Sequence, residues 1–83
     1  MTETTVELDL RGLRCPLPAL RTEKQLRAMS ARERLGVLTD DPLAAIDIPH
    51  FCREAGHSII ASTVEDGHRL FVIECASVTT ASE

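Results

Sequence analysis

Aromatic residues are scarce in this 83-residue chain: there is no Trp, no Tyr and only two Phe. A surface that stacks single-stranded bases needs several exposed aromatics, so the composition argues against one. Net positive charge is also missing. The chain carries 9 basic and 13 acidic side chains, a formal charge of −4, so it lacks the basic footprint of a DNA- or RNA-binding domain. No apolar run approaches the roughly 20 residues that cross a bilayer. The first residues, Met1-Thr2-Glu3-Thr4-Thr5, have neither the basic nor the apolar region of a signal peptide. The expected location is therefore cytoplasmic, with no membrane association. The cysteines, Cys15, Cys52 and Cys75, are odd in number and show no C-x-x-C spacing. This argues against a disulfide framework, a thioredoxin-like redox pair and a closed zinc site. Phosphate-loop and nucleophile-elbow motifs are absent too.

What is present is ordinary for a folded domain: 43% hydrophobic and 27% charged residues. The length fits one domain. We expect a single domain over 1–83, with a folded core at about 6–76 and a flexible tail over 77–83. Charge is unevenly spread. Residues 1–34 hold seven basic and five acidic side chains, and residues 35–83 hold two and eight. Two readings are open: a solvated helix face, or an electropositive surface around Cys15 that docks a partner.

Val6 to Leu10 alternates apolar and polar residues, the period of a half-buried strand. Arg11-Gly12-Leu13-Arg14 reads as a loop. Cys15-Pro16-Leu17-Pro18 then opens a helix, since proline is favoured where no intrahelical donor is lost. Ala19, Thr22, Leu26 and Met29 form its expected apolar stripe, with an exit loop over 30–33. Leu35 to Thr39 reads as a second strand. Asp41 is placed as N-cap before Pro42, and Pro49 predicts a break: a short turn through Ile46, then a re-start capped by Asp47. Gly56 ends that helix. Ser58–Val64 and Arg69–Cys75 flank Asp66-Gly67, a hairpin signal. The order β-α-β-α-β-β predicts an α/β two-layer sandwich. Two helices cover one face of a four-stranded mixed sheet, and the first two strands run parallel.

Cys15 is the candidate reactive residue. At a loop–helix junction beside Arg14 and Arg11, a thiolate would be stabilised and the thiol pKa lowered. The prolines remove their own donors, leaving the N–H groups of Leu17 and Ala19 nearest the sulfur. The proposed site is Cys15 as nucleophile, supported by Arg11, Gly12, Arg14, Pro16, Leu17 and Pro18. Cys52 lies on an apolar helix face and Cys75 alternates with Phe71 and Ile73, so both read as core. His50 and His68 read as solvated, and His57 as a structural partner of carbonyls at a helix end. Asp9, Asp40, Asp41 and Asp47 read as caps and local ion pairs rather than metal ligands. No cofactor and no metal are expected.

The stretch Asp9-Leu10-Arg11-Gly12-Leu13-Arg14-Cys15-Pro16-Leu17-Pro18 resembles the signature of the TusA/SirA-type sulfur-carrier family. That family is marked by Cys-Pro-x-Pro after a D-x-x-G-x-x lead-in. The resemblance continues through Asp40-Asp41-Pro42, Asp47-Ile48-Pro49 with Phe51, Gly56-His57 and Phe71-Val72-Ile73, over roughly 6–74. It implies a fold like the C-terminal domain of bacterial translation initiation factor three. It also implies a sulfurtransferase role in which Cys15 carries sulfur as a persulfide. A cysteine desulfurase or rhodanese would load it, and a downstream acceptor protein would receive the sulfur for tRNA thiolation, cofactor synthesis or sulfur metabolism. The chain departs from its relatives in two places. The 30–33 loop has no Gly, and Glu74-Cys75 stands where many relatives carry a Lys.

The physical reading agrees with a monomeric carrier that docks transiently. A lone accessible Cys, with no resolving partner beside it, hands sulfur onward instead of closing an internal disulfide. Two alternatives stay open. One is a sulfurtransferase acting on free thiosulfate through an anion pocket of Arg11 and Arg14. The other is a non-catalytic regulatory or selenium-linked accessory binding module of the same fold.

Overall fold

Six elements follow one another in the computed structural model, which describes residues 5–76. They are β1 (Thr5–Asp9), α1 (Leu17–Arg27), β2 (Arg34–Thr39), α2 (Ala44–Ala55), β3 (Ser58–Glu65) and β4 (His68–Glu74). The tail expected over 77–83 lies outside the described residues. The strands form one sheet in the order β1-β2-β4-β3. β1 and β2 are parallel, because a helical crossover separates them. β4 runs antiparallel to β2 and to β3. The β3–β4 hairpin turns at Asp66 (φ 42°) and Gly67 (φ 81°), the paired positive angles of a type I′ turn.

Alternation places Leu35 and Val37 of β2 opposite Ile73 and Phe71 of β4, all on one face and all buried. Each helix contributes a stripe at four-residue spacing: Pro18, Thr22 and Leu26 from α1, and Ala44, Ile48 and Cys52 from α2. These residues join Leu10 and Cys75 in one core, covering the expected face of the sheet. A fully buried Leu, Ile or Phe contributes on the order of 1.5–3 kcal/mol. The α1 stripe differs from the expected one. Pro18 is buried, while Ala19 and Met29 are half-buried at its margin. Thr22 is tolerated inside because its hydroxyl donates to the Pro18 carbonyl at 2.8 Å.

The predicted break in the second helix does not occur. α2 is continuous from Ala44 to Ala55, with Pro49 inside it. Pro49 costs the helix one donor, but the stripe of Ala44, Ile48 and Cys52 packs only if the helix runs through. The helix ends in a Schellman arrangement around Gly56 (φ 89°): Gly56 N–H donates to Arg53 O and His57 N–H to Cys52 O.

The loop without glycine needs a left-handed residue all the same. Arg32 takes φ 73°. It is held there by hydrogen bonds from its N–H to Cys75 O (3.0 Å) and from Cys75 N–H to Glu33 O (2.8 Å). Those bonds extend the β4 end onto the loop, where Cys75 Sγ lies 3.5 Å from Leu26 O.

His57 accepts the Ala76 N–H at Nδ1, 2.8 Å away, and its ring lies 5.8 Å from that of Phe51. Its partner is thus a backbone donor, where the sequence predicts a carbonyl. Partial burial lowers the His57 pKa below its ordinary 6.5. Because the folded pKa is depressed, the unfolded chain takes up the proton first as pH falls. Stability is therefore expected to be full above about pH 6.5 and to decline as pH drops below it. In thermal melts between pH 7.5 and 5.5, His57→Gln should show a flatter pH dependence than the wild type.

Candidate functional site at the β1–α1 and β2–α2 loops

Parallel pairing brings the exits of β1 and β2 side by side. Asp9 is in register with Leu38, and Leu10 N–H donates to Leu38 O at 2.8 Å. The loop carrying Cys15 therefore lies against the loop that opens α2. Two adjacent aspartates clasp them together. Asp40 Oδ1 accepts the Gly12 N–H at 3.0 Å, and Gly12 turns there with φ 87°, an angle that favours a residue without Cβ. Asp41, only 5% exposed, uses both oxygens. Its Oδ2 accepts the Cys15 N–H at 2.6 Å and its Oδ1 the Leu43 N–H at 3.2 Å. Its carbonyl accepts from Ala44 and Ala45, so Asp41 anchors the turn that leads into α2; the N-cap position itself falls on Leu43, not on Asp41 as the sequence predicts, and a second role ties Asp41 to Cys15.

Cys15 is exposed, whereas Cys52 and Cys75 are buried as expected. Burial pushes the Cys52 thiol up to about 11 and also raises that of Cys75, which keeps both thiols protonated and inert. The thiol of Cys15 donates to Asp47 Oδ2 at 2.9 Å. Asp47 is therefore a partner of the cysteine, and the capping role assigned to it falls with the break at Pro49.

The electrostatics at Cys15 reverse the sequence-based expectation. The Cys15 pKa is raised, first by the hydrogen bond to Asp47, then by desolvation and the negative charges of Asp47 and Asp41. The flanking arginines point to other partners. Arg11 grips the Asp9 carboxylate through Nε (2.8 Å) and Nη2 (2.7 Å). That grip holds the Asp9 pKa down at about 2. Arg14 pairs with Asp40 at 3.3 Å, and the Gly12 N–H together with this arginine lowers the Asp40 pKa. The Leu17 N–H, expected to face the sulfur, donates to Arg14 O at 2.9 Å instead. An anion pocket of Arg11 and Arg14 is thus not formed.

Of the other supporting residues, Pro16 is exposed just ahead of α1, Leu17 is 43% exposed, and Pro18 is buried in the core and seats the helix. On α1, Arg21 and Lys24 are exposed and Arg27 pairs with Glu23 at 2.6 Å, as on a solvated helix face. His50 is exposed; His68 is half-buried, 4.0 Å from Glu65. Glu74 sits opposite Arg34 at the start of β2. That is the far end of the strand from Cys15. Among the described residues, no group of three or more His, Cys, Asp or Glu side chains is placed to hold a metal ion. A groove of about 230 Å³ lies beside the site, between the start of α2 and the hairpin tip; Asp40, Asp41, Pro42, Ala45 and Arg69 help line it, but Cys15 does not.

A family model described as sulfurtransferase TusA matches residues 6–75. Among solved structures, the crystal structure of a SirA-like protein from Desulfitobacterium hafniense superposes with a TM-score of 0.78. That match covers 87% of this chain and 99% of the other, at 22% sequence identity, and shows a shared fold. No described helix is long and apolar enough to cross a membrane.

Proposed function

This chain belongs to the TusA sulfurtransferase family, and from that premise we propose that it is a cytoplasmic, monomeric sulfur carrier whose Cys15 accepts sulfane sulfur as a persulfide. The observation that carries the reading is the contrast among its cysteines. Cys15 stands exposed between two helices, while Cys52 and Cys75 are shut in the core. The donor is a cysteine desulfurase or a rhodanese, and the recipient is a downstream acceptor protein. The surroundings of Cys15 support a protein donor over free thiosulfate. Arg11 and Arg14 are engaged by Asp9 and Asp40. Large apolar side chains stand exposed on both helices that flank the thiol: Leu17 and Leu20 on α1, Leu43 and Ile46 at the start of α2. Exposed apolar groups beside a charged rim suit transient protein docking.

The test is intact-mass spectrometry after incubation with a cysteine desulfurase and cysteine. The wild type is expected to gain about 32 Da, reversible by reductant. Cys15→Ser should gain nothing, while Cys52→Ala and Cys75→Ala should still load. A wild type that stays unmodified with both desulfurase and rhodanese donors, and binds its partners equally well as Cys15→Ser, would instead support the accessory binding module.

A further inference from the structure

We propose that Asp47 is the proton acceptor for Cys15 during sulfur uptake: the carboxylate 2.9 Å from Sγ takes the thiol proton as the sulfur attacks its donor. The inference rests on the carrier reading above and adds to it a residue, on another element, that touches the reacting atom.

The geometry poses a problem that Asp47 resolves. A sulfur acceptor must attack as a thiolate. The cations nearest in sequence are turned elsewhere, Arg11 to Asp9 and Arg14 to Asp40 and Leu13 O. The groups that do face Cys15 are carboxylates: Asp41 at its N–H, from the loop ahead of α2, and Asp47 at its Sγ, from α2 itself. Among the described residues, no cation contacts the sulfur. Asp41 has both oxygens committed to backbone donors. Asp47 is half-buried, and its Oδ2 is aimed at the thiol. The resting protein therefore holds a protonated thiol, which resists oxidation because the thiolate is the oxidisable form. The acceptor for the proton is already in hydrogen-bond contact, the position a general base requires.

The step balances. With a donor persulfide R–S–SH, the Sγ–H proton passes to Asp47 Oδ2. The Cys15 Sγ–sulfane bond forms as the donor's own S–S bond, between the R-bearing sulfur and the sulfane sulfur, breaks. The electron pair leaves with R as thiolate, and the products are the Cys15 persulfide, a protonated Asp47 and R–S⁻. The donor sulfur is reduced and Sγ is oxidised, with no external redox partner. Asp47 then returns its proton to the outgoing thiolate or to water.

Two measurements on Asp47→Asn decide the matter, because they should move in opposite directions. Removing the negative charge should shift the pH profile of Cys15 alkylation by iodoacetamide to lower pH, so alkylation near neutrality becomes faster. Sulfur uptake from a desulfurase charged with cysteine, or a rhodanese charged with thiosulfate, should slow by on the order of a hundredfold. Asp47→Glu keeps a carboxylate and should restore uptake toward the wild-type rate. A merely structural role would leave the alkylation profile unmoved or change both rates in the same sense, and either result overturns the inference. So does wild-type uptake by Asp47→Asn. If the wild type takes up no sulfur from either donor, the carrier reading itself fails. That outcome is separate from one in which the wild type loads and the variant loads equally fast.

Discussion

Asp41→Ala is expected to destabilise the domain by about 2–4 kcal/mol and to slow sulfur loading of Cys15 in the fraction that stays folded. The side chain is buried, and its two oxygens serve two backbone donors, the N–H groups of Cys15 and Leu43. Alanine orphans both. The loss at Leu43 is that of the side-chain bond holding the turn ahead of α2, worth about 1 kcal/mol. The loss at Cys15 is that of a hydrogen bond to a charged group, about 1.5–3 kcal/mol. A chain of this length has roughly 4–12 kcal/mol in total, so the loss is a large fraction. Urea unfolding should show a lowered midpoint with an unchanged slope. Asp41→Asn keeps a carbonyl oxygen and can serve one donor, so its effect should be about half as large. An alanine variant with wild-type midpoint and loading would show that the clasp does not set the Cys15 loop.

Phe71→Ala should have the largest effect on folding, about 3–5 kcal/mol. Phe71 is 2% exposed and sits in β4, between β2 and β3, in register with Val37 and Ser62. It is the only one of the two phenylalanines fully inside; Phe51 is half-buried. With so few aromatics, its volume is not duplicated elsewhere in the core. The cavity left by truncation would open in the one buried cluster that Phe71 shares with β2 and with residues of both helices. The Arg69 guanidinium, 5.8 Å from the ring centroid, would lose its aromatic partner too. Circular dichroism melts should show a transition lowered by well over 10 °C, on the usual scale of about 4–8 °C per kcal/mol for a domain of this size. Phe71→Leu, which refills most of the volume, should cost less than half as much.

The two aspartates at the site show how a residue's role depends on what folds against it. Asp41 and Asp47 both have the local look of helix caps, because each precedes a proline in an otherwise helical stretch. For Asp41 that local logic survives in part: the helix begins at Ala44 with Leu43 as its N-cap, and Asp41 holds the turn ahead of it through the N–H groups of Leu43, Ala44 and Ala45. For Asp47 it fails, because the core stripe of Ala44, Ile48 and Cys52 carries the helix through Pro49 and turns the Asp47 carboxylate toward Cys15. Arg11 and Arg14 make the same point with charge. Within four residues of Cys15 in sequence, they suggest a stabilised thiolate. Their carboxylate partners lie two residues away in one case and 26 in the other, and those partners turn them from the sulfur.

Local signals in the chain were enough for the order of elements, the hairpin at Asp66-Gly67, the helix end at Gly56, the apolar residues of β2 and β4 and the identity of the exposed cysteine. Each of these rests on interactions within a few residues or on a side-chain period of two or about four, so the signal is present in any short window. The tertiary structure alone decided the continuity of α2, the left-handed Arg32 and the carboxylate environment of Cys15. The contacts responsible span 26 residues from Cys15 to Asp41, 32 from Cys15 to Asp47 and 43 from Arg32 to Cys75. Whether a thiol meets an arginine or a carboxylate is set by which loop the parallel sheet places beside it, and Coulomb and hydrogen-bond energies decay over a few ångströms in space, with no regard to distance along the chain.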